Sequence, residues 1–344
     1  MKKNSNDFSY DTLWRIYCGD MPDFIIRLSE TPPMMRLRHV GMNCGCEYVA
    51  LHKEDMCRRY TRFEHSLGVA LIVWNFTRDV KQSVAGLFHD ISTPAFAHVV
   101  DFLNGDHLTQ ESTESRTSEM IDSSHEIQEV LADLGLTTSD VCDYHLYPIA
   151  DNASPRLSAD RLEYTMGNFI QYGVCGTDEI ELYYNDLSAG MNEDRQPEIV
   201  FRTPEIAEKF ALASMNNSYV YISDSDRFTM QYLAELLKSA MEKNYGLTVD
   251  DLYTTEENVI ERLENNPFTD SAWHSYTKIK SVRRLADPAC DTFCVKVNAK
   301  RRYLDPFVMG KGRVSEYSVD YRLQVEKFLS VTFEDWLSES EISS

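Results

Sequence analysis

The chain has 344 residues, of which 43% are hydrophobic and 26% charged, and it carries a formal net charge of −21. This composition predicts a globular protein with a sizeable core, because disorder needs low hydrophobicity as well as high net charge. The acidic balance argues against general binding to duplex nucleic acid or to an anionic membrane surface, since both attract basic proteins.

Helical periodicity dominates the first two thirds of the chain. Apolar residues at i, i+3, i+4 and i+7 predict helices over 64–76, over 158–172, over 227–243 and over a segment that ends near Asp90. That last helix should stop before Pro94, because the residue that precedes a proline disfavours helical backbone.

The pattern changes in the last third of the chain. Alternating β-branched and aromatic residues over 292–297, with a similar stretch over 302–308, predict a small β-ribbon. The polar stretch 186–204 is the expected internal boundary. It would separate a metal-binding catalytic core over 1–185 from a mainly helical region over 186–344 that packs on the core.

Eight cysteines in a chain of this length do not indicate a disulfide scaffold. The two close pairs, Cys44 with Cys46 and Cys290 with Cys294, lack the paired spacing of a structural zinc site, so we interpret them as free thiols. The first residues lead into no apolar stretch typical of a signal peptide. The longest apolar run, 69–74, is far shorter than the ~20 residues of a membrane span. We therefore expect a cytoplasmic protein.

Two histidines lie in sequence contexts that make them candidate metal ligands. His65 lies at the start of the first predicted helix, and His89 is followed directly by Asp90 where the second should end. Asp160 begins the third. Two imidazoles and two carboxylates suit a divalent metal. Taken singly, each has an ordinary explanation, since such histidines are usually structural and an aspartate in a first helical turn often serves the helix dipole.

Together these segments resemble the HD-domain superfamily of metal-dependent phosphohydrolases, and within it the deoxynucleoside triphosphate triphosphohydrolases and their bacterial relatives. The similarity extends from about residue 30 to about residue 330. It is carried by Arg-Phe-Glu-His-Ser-Leu-Gly at 62–68, Leu-Phe-His-Asp at 87–90, Asp-Arg-Leu-Glu-Tyr at 160–164, the segments 94–101 and 302–306, and Val220-Tyr221 with Arg227.

The resemblance implies an all-α fold, with an HD-domain helical core and a small β-ribbon in the C-terminal region. It implies one divalent metal ion, bound by His65, His89, Asp90 and Asp160. Manganese, iron, magnesium, nickel and zinc all suit this ligand set. A bound metal lowers the pKa of its water and polarises a phosphoryl oxygen, so the resemblance assigns catalysis to His65 and Asp90 together with Arg62.

The same resemblance suggests which residues bind substrate. Arg62, one turn before His65, would donate to phosphate oxygens and stabilise developing charge. Arg161, Tyr164 and His98 are the other expected substrate contacts. The competing interpretations are a surface salt bridge for Arg62, core packing for Tyr164 and a structural role for His98.

Four departures from the triphosphohydrolases bear on the substrate. Thr93 stands where the family has an active-site histidine, and Gln110-Glu111 where it has a His-Glu pair that protonates the leaving group. Met42 replaces the glutamine that reads deoxyribose, and Ser223 replaces a histidine. Threonine and glutamine cannot transfer protons near neutral pH. The resemblance leaves His98, His107 and Glu111 as candidates for a replacement acid.

The segment 278–313 is strongly basic, although the chain as a whole is acidic. It predicts either an anion site or a basic face that pairs with acidic surface or with another subunit. Three acidic residues accompany ten basic ones: Lys278, Lys280, Arg283, Arg284, Lys296, Lys300, Arg301, Arg302, Lys311 and Arg313.

The sequence thus predicts a metal-dependent phosphohydrolase that hydrolyses a nucleotide or related phosphate ester through a metal-activated water. Two alternatives stay open: a deoxynucleoside triphosphate triphosphohydrolase, and a nucleotide-binding regulatory protein with little or no turnover. The expected partner is a phosphate-containing small molecule, in particular a nucleotide. A homo-oligomer is also compatible with the resemblance, whereas binding to a membrane or to duplex nucleic acid is not expected.

Overall fold

The computed structural model describes residues 10–52, 60–100, 116–289 and 292–340, and these form a mostly helical fold. In the first half the described helices are α1 (Asp11–Tyr17), α2 (Asp23–Ser29), α3 (Pro32–Arg36), α4 (Arg62–Thr77), α5 (Val80–Phe88), α6 (Thr117–Ser123), α7 (His125–Leu134), α8 (Thr138–Val141), α9 (Ala159–Gln171) and α10 (Thr177–Asn185). The second half contains α11 (Pro204–Tyr221), α12 (Asp224–Glu242), α13 (Glu256–Glu264), α14 (Pro267–Lys278), α15 (Val314–Tyr317) and α16 (Val319–Leu329). None of the helices described is long and apolar enough to cross a membrane.

The four predicted helices are confirmed as α4, α5, α9 and α12. Local chemistry explains where they begin. In α4, Thr61 and Glu64 form a capping box, in which each side chain bonds the backbone of the other. At the starts of α5 and α9, the side chains of Asp79 and Ser158 accept hydrogen bonds from backbone N–H groups of the first turn. α5 ends at Phe88, one residue before the predicted His-Asp pair.

Among the described residues, two small sheets lie in the second half of the chain. One has the strand order β1 (Leu187–Met191), β2 (Pro197–Phe201), β5 (Phe307–Val308) and β6 (Gly312–Arg313), and the other has the order β3 (Val282–Leu285), β7 (Trp336–Glu339) and β4 (Cys294–Val295). Every pairing is antiparallel except that of β2 with β5. The prediction of a mostly helical fold with a small C-terminal sheet is therefore confirmed.

The strands do not pair as the single ribbon that the sequence predicted. The predicted segments 292–297 and 302–308 contain β4 and β5, which lie in different sheets because each finds its partner elsewhere in the chain. The polar stretch 186–204 contains the hairpin of β1 and β2, with Leu187 opposite Phe201. Sequence periodicity missed this hairpin because β2 is buried along nearly its whole length and so lacks the alternation that marks a half-buried strand.

In the part of the chain that the structure describes, the hydrophobic core consists of two clusters, and each draws on both halves of the chain. The larger surrounds α4, in which residues 69–73 are fully buried, and it reaches Phe328 and Phe333 near the C-terminal end. The second packs Cys46 and Phe96 against α12 and α14. The predicted division at 185/186 stays a prediction, and both clusters cross that position.

Candidate metal centre

Three helices bring the predicted metal ligands together. His65 lies in the first turn of α4, His89 caps the C-terminal end of α5, and Asp160 lies in the first turn of α9. One ligand atom from each residue falls within 4.8 Å of the others. The two imidazoles are buried, and the Asp160 side chain is 18% exposed. These three predicted ligands therefore form one cluster, although they are far apart in sequence.

The atoms that face one another in this cluster are of the types that bind metals in proteins. His65 Nε2 lies 3.1 Å from His89 Nε2 and 3.1 Å from Asp160 Oδ1. His89 Nε2 lies 3.9 Å from the same carboxylate oxygen. Two imidazole nitrogens and a carboxylate oxygen thus converge on one point.

The opposite ring nitrogens explain why these atoms suit a cation. His89 Nδ1 lies 2.7 Å from the carbonyl oxygen of Gly86, so Nδ1 carries the hydrogen and the neutral ring presents a lone pair at Nε2. His65 Nδ1 lies 2.6 Å from Oε2 of the buried Glu163, which also accepts a hydrogen bond from the Tyr60 hydroxyl. When His65 gives up its Nε2 proton, it too presents a lone pair there, and two such lone pairs beside a carboxylate match a divalent metal.

The electrostatics of the cluster favour positive charge within it. Burial alone would lower the pKa of His65, but hydrogen bonds to Asp160 and Glu163 outweigh burial and raise the pKa to about 9. Burial raises the pKa of Glu163, although its hydrogen bond to His65 opposes that shift. Burial would also raise the pKa of Asp160, but the neighbouring His65 holds it well below its usual range.

Asp90, the fourth predicted ligand, lies at the edge of the same cluster. Its Oδ2 is 3.4 Å from His89 Nε2 and 3.8 Å from His65 Nε2, and it accepts a hydrogen bond of 2.7 Å from Arg62 Nη1. Burial would raise the pKa of Asp90, but the Arg62 charge keeps the pKa far below the normal value. Its role as a ligand stays a prediction, and its position beside both imidazoles is compatible with that role.

A cavity of about 610 Å³ is lined by all four predicted ligands and by the predicted substrate residues Arg62, Arg161, Tyr164 and His98. Arg62 is 6% exposed and bonded to Asp90, so it is not part of a surface salt bridge. The Tyr164 ring centroid lies 6.4 Å from that of His65 and 6.3 Å from that of Tyr221. The predicted catalytic and substrate residues therefore share one cavity.

Arg161 makes structural contacts as well as lining the cavity. Its Nε donates to the carbonyl oxygen of Arg156 at 2.7 Å, and its Nη1 lies 2.9 Å from Asp151 Oδ1. It also donates to the backbone and side chain of Asn152. These contacts fix the loop before α9, and the predicted role of Arg161 in substrate binding stays a prediction.

The departures from the triphosphohydrolase pattern occupy different places. Thr93 is buried and donates a hydrogen bond of 2.7 Å to Asp90 Oδ1, so it supports a predicted ligand. Met42 lines the cavity. Ser223 caps the start of α12 by accepting from the backbone of Asp226. Gln110 and Glu111, like the candidate acid His107, lie outside the described residues.

The basic segment divides between the cavity wall and ion pairs with acidic residues. Lys300, Arg301 and Arg302 line the cavity, whereas Arg284 pairs with Asp224 and Arg313 pairs with the buried Glu198. We call residues 297–305 the strap. One end is held by a hydrogen bond of 2.6 Å from Arg227 Nη1 to the carbonyl oxygen of Val297. The other end is held by a hydrogen bond of 2.9 Å from the backbone N–H of Asp305 to the carbonyl oxygen of Pro155.

Several cavity residues were not singled out from the sequence. His145 and Asp151 line the cavity as a hydrogen-bonded pair, and Asn168 donates to the Tyr221 hydroxyl at 2.8 Å. Asp226 lines the same cavity, and burial raises its pKa to about 7. The segments that carry these residues have no metal-like or catalytic spacing, so only the folded chain brings them together. Cys44 and Cys46 are buried free thiols, as interpreted from their spacing, and Cys290 lies outside the described residues.

Comparison with known proteins gives a small set of relatives, and no protein-family model matches the chain. The uncharacterised protein YdhJ of Bacillus subtilis is 26% identical over 235 residues, which are 68% of this chain and 68% of that protein. The metal-dependent phosphohydrolase cns2 of Cordyceps militaris is 24% identical over 169 residues, which are 48% of this chain and 46% of that protein.

Solved structures share the fold over nearly the whole chain. A hypothetical protein from Aquifex aeolicus superposes with a TM-score of 0.64 at 18% identity and covers 93% of both chains. A phosphohydrolase from Bacteroides thetaiotaomicron superposes with a TM-score of 0.60 at 16% identity, over 94% of this chain and 97% of its own. At these identities the likeness concerns the fold.

Proposed function

We propose that this protein is an HD-type metal-dependent phosphohydrolase that hydrolyses a nucleotide or a related phosphate ester. The observation that carries the proposal is the convergence of His65, His89 and Asp160 ligand atoms within 4.8 Å, in the wall of a cavity of about 610 Å³. The names of two similar proteins support it, since cns2 is a metal-dependent phosphohydrolase and the Bacteroides neighbour a phosphohydrolase.

The chain's own residues divide the work of such a reaction. His65, His89 and Asp160, with Asp90 as the fourth ligand, would hold one divalent metal, whose chemistry is to acidify water and polarise a phosphoryl oxygen. Arg62 keeps Asp90 ionised through a hydrogen bond of 2.7 Å and brings a positive charge to the cavity. That charge would stabilise the charge that develops on the phosphoryl oxygens in the transition state.

Other parts of the cavity wall suit a nucleotide. Lys300, Arg301 and Arg302 on the strap offer positive charge for further phosphate oxygens. Tyr164 and Tyr221 offer aromatic surface for a sugar or a base. A cavity with both features favours a substrate that has an anionic part and a ring.

A deoxynucleoside triphosphate is the second candidate substrate, and the basic strap favours a polyphosphate. Met42, in place of the deoxyribose-reading glutamine, lines the cavity, and Thr93 donates to Asp90. Neither reproduces the triphosphohydrolase pattern, so we place a broader phosphate ester first. A regulatory protein that binds nucleotides without turnover is the remaining alternative.

The proposal is tested by incubating manganese-loaded protein with a panel of nucleotides and sugar phosphates and identifying the products by mass spectrometry. Orthophosphate release would support a phosphatase, and tripolyphosphate release the triphosphohydrolase. The Asp160→Asn variant is the control for contaminating activity. Nucleotide binding without any product would contradict the enzyme and favour the regulatory alternative. The cytoplasmic location and the homo-oligomer stay predictions from the sequence.

A further inference from the structure

Asp226 places a carboxyl group in the wall of the cavity. The residue is partly exposed, lies in the first turn of α12 and lines the cavity that contains the predicted metal ligands. Its Oδ1 accepts a long hydrogen bond of 3.7 Å from the Cys46 thiol. Arg227 follows in the chain but bonds Asp224 and the carbonyl oxygen of Val297 instead. Among the described residues, no basic nitrogen lies within 4.0 Å of the Asp226 carboxyl group, and no hydrogen bond reaches its Oδ2.

The surroundings of this carboxyl group favour a ligand that donates hydrogen bonds. Burial raises the pKa of Asp226 to about 7, although the Cys46 hydrogen bond and the charges of Arg302 and Arg227 oppose the rise. A carboxyl group in this position gives up hydration, which costs stability unless a ligand restores the lost hydrogen bonds. Titratable groups with such shifts in a cleft are characteristic of functional sites. Since an ionised carboxylate only accepts hydrogen bonds, its ligand must supply a donor.

The turn that carries Asp226 lies away from the metal ligands along α9. Asp160, Tyr164 and Asn168 recur at four-residue intervals and line the same cavity, so they lie on one side of that helix. At a rise of about 1.5 Å per residue, Asn168 is ~12 Å from Asp160 along the axis. Asn168 Nδ2 donates at 2.8 Å to the hydroxyl of Tyr221, the last residue of α11. α12 begins three residues later, so this contact holds the turn between α11 and α12 near Asn168.

Electrostatic effects give the same order along the cavity. Burial raises the pKa of Tyr164, where Arg302 opposes the rise and Asp160 adds to it. Burial also raises the pKa of Tyr172, which follows α9 directly, and a neighbouring tyrosine and Asp226 add to that rise. The cavity thus has a carboxylate at each end, Asp160 at the metal end and Asp226 at the end near Tyr172.

The Asp226 end of the cavity has the surface that a planar ring needs. Tyr172 and Tyr221 line the cavity together with Met42 and Met230. Aromatic side chains stack on nucleobases of any sequence. A carboxylate repels a phosphate, whereas it accepts from the amino group of a base, as Asp and Glu do from cytosine in nucleic acids. A ligand with a phosphate at one end and a ring at the other needs a spacer, and the sugar of a nucleotide is such a spacer.

We propose that Asp226 is a specificity-determining residue that accepts a hydrogen bond from the exocyclic amino group of a nucleobase. The inference rests on the proposed phosphohydrolase function and narrows its substrate to nucleotides of adenine, guanine or cytosine. The phosphate lies at the metal end beside Arg62, the base lies beside Tyr172 and Asp226, and the sugar spans the distance between them. No bond is made or broken at Asp226, so this residue decides which nucleotide binds.

The test compares ligands that differ by one amino group. Guanosine and inosine form one pair, and adenosine and purine riboside form the other, because hydrogen replaces the amino group in the second member of each. The ligands are nucleoside phosphonates with carbon in place of the leaving oxygen, so that turnover does not disturb Kd. Titration calorimetry with manganese-loaded protein at pH 8 measures each Kd.

For the purine that the parent binds more tightly, the amino form should bind about 10- to 100-fold more tightly than its partner, the usual effect of a hydrogen bond to a charged group. In Asp226→Leu this ratio should fall below about twofold, because no acceptor is left. In Asp226→Asn it should be intermediate, because the amide oxygen accepts but carries no charge. Tm at pH 7 should be at or above the parental value in Asp226→Asn, which separates lost selectivity from lost folding.

The matched control is Glu235→Gln. Glu235 also lies on α12 and carries a carboxylate, but it is exposed to solvent and is not part of the cavity wall. This variant should keep the parental Kd for all four phosphonates. Manganese affinity, measured for every variant, shows that the metal centre is intact.

Other results would overturn the inference. Equal affinity of the parent for both members of each pair would do so, as would no binding of any of the four or an unchanged preference in Asp226→Leu. If Asp226→Leu weakens all four by the same factor, Asp226 supports the wall and does not distinguish bases. A parent that keeps the amino preference but hydrolyses no ester overturns the proposed function and leaves the base subsite, so the two failures are distinguishable.

Discussion

Glu163 lies behind His65, with its Oε2 2.6 Å from the Nδ1 of that imidazole. Both side chains are 1% exposed, and the Tyr60 hydroxyl donates to the same carboxylate oxygen. A carboxylate in this position fixes the ring of a metal-binding histidine and strengthens Nε2 as a donor. The orientation of His65 is thus set by residues outside the predicted ligand set.

Glu163→Gln should therefore weaken metal binding although Glu163 is not a ligand. We expect the affinity for manganese to fall about 10- to 100-fold, the usual effect of losing such a partner. Titration calorimetry measures this affinity. Glu181→Gln, at an exposed position of α10, is the control and should bind like the parent. Unchanged affinity in Glu163→Gln would show that His65 is not a ligand or is oriented by other contacts.

Asp160→Asn should lose metal more completely, because it removes a ligand charge. We expect manganese affinity to fall at least about 100-fold, beyond the effect of an outer partner. Asp178→Asn is a matched control, since Asp178 is also the second residue of its helix, α10, but is exposed to solvent. If both variants bind manganese equally well, the cluster around Asp160 is not the metal site.

Arg302→Ala should act on substrate binding and leave the metal centre intact. Burial raises the pKa of Tyr164, Tyr221 and Asp226, and the charge of Arg302 opposes that rise at all three cavity residues. We expect KM for a nucleoside triphosphate to rise about tenfold, the loss of one charge-assisted hydrogen bond. Lys311→Ala, exposed outside the cavity wall, should change nothing. An unchanged KM in Arg302→Ala would contradict a phosphate role for the strap.

Two neighbouring aspartates on α12 should give opposite pH dependences of stability. Burial raises the pKa of Asp226 to about 7, above the ~3.9 of an unfolded aspartate. The stability it contributes is complete below the lower value and lost as the pH rises towards 7. Asp226→Asn should therefore raise Tm relative to the parent by a difference that grows from pH 4 to pH 7 and is then constant.

Asp224 provides the opposite case. Burial would raise its pKa, but hydrogen bonds from Arg284 and Arg227 lower it below the usual value. Its stabilising effect is present above the unfolded value of ~3.9 and is lost as the pH falls through the folded value. Asp224→Asn should lower Tm at pH 7, and the difference from the parent should shrink as the pH falls below the unfolded value of ~3.9. Thermal scans across this range test both variants, and parallel curves for the two would contradict the assignment.

Arg313→Met should destabilise the fold strongly. Arg313 bonds both carboxylate oxygens of Glu198, at 2.6 and 2.7 Å, and Glu198 is fully buried. Removing one partner leaves an uncompensated buried charge, which costs about 3–5 kcal/mol. Denaturant unfolding measures the loss, and Arg283→Met on exposed β3 should stay within about 0.5 kcal/mol of the parent. A small effect of Arg313→Met would mean that Glu198 finds another partner.

The sequence predicted those parts of the molecule that local patterns determine. The helices carrying His65, His89 and Asp160 follow from apolar periodicity and the proline at 94, and the resemblance supplied their meeting in space. The pairing of the strands in the two small sheets was harder to predict, because residues such as Val295 and Val308 pair with distant segments that a local pattern does not identify.

The cavity wall was the least predictable part of the site. His145 and Asp151 lie in a stretch with neither helical nor strand periodicity, and their pairing depends on the turn at Tyr144–Leu146 and on the contact of Asp151 with Arg161. The basic segment could be recognised in the sequence from its charge. Its division between cavity and surface depends on where the acidic partners Asp224 and Glu198 lie after folding.

The strap is anchored at Val297 and Asp305. The residues expected to bind the metal and those expected to contact an anion therefore lie in separate parts of the sequence. The predicted metal ligands lie on α4, on α9 and directly after α5, while Lys300 to Arg302 reach the same cavity from the far end of the sequence. Substitutions between the two anchors can therefore alter which anion is accepted while the ligand geometry is conserved. Relatives with the same metal centre and different straps would be expected to hydrolyse different esters by the same chemistry.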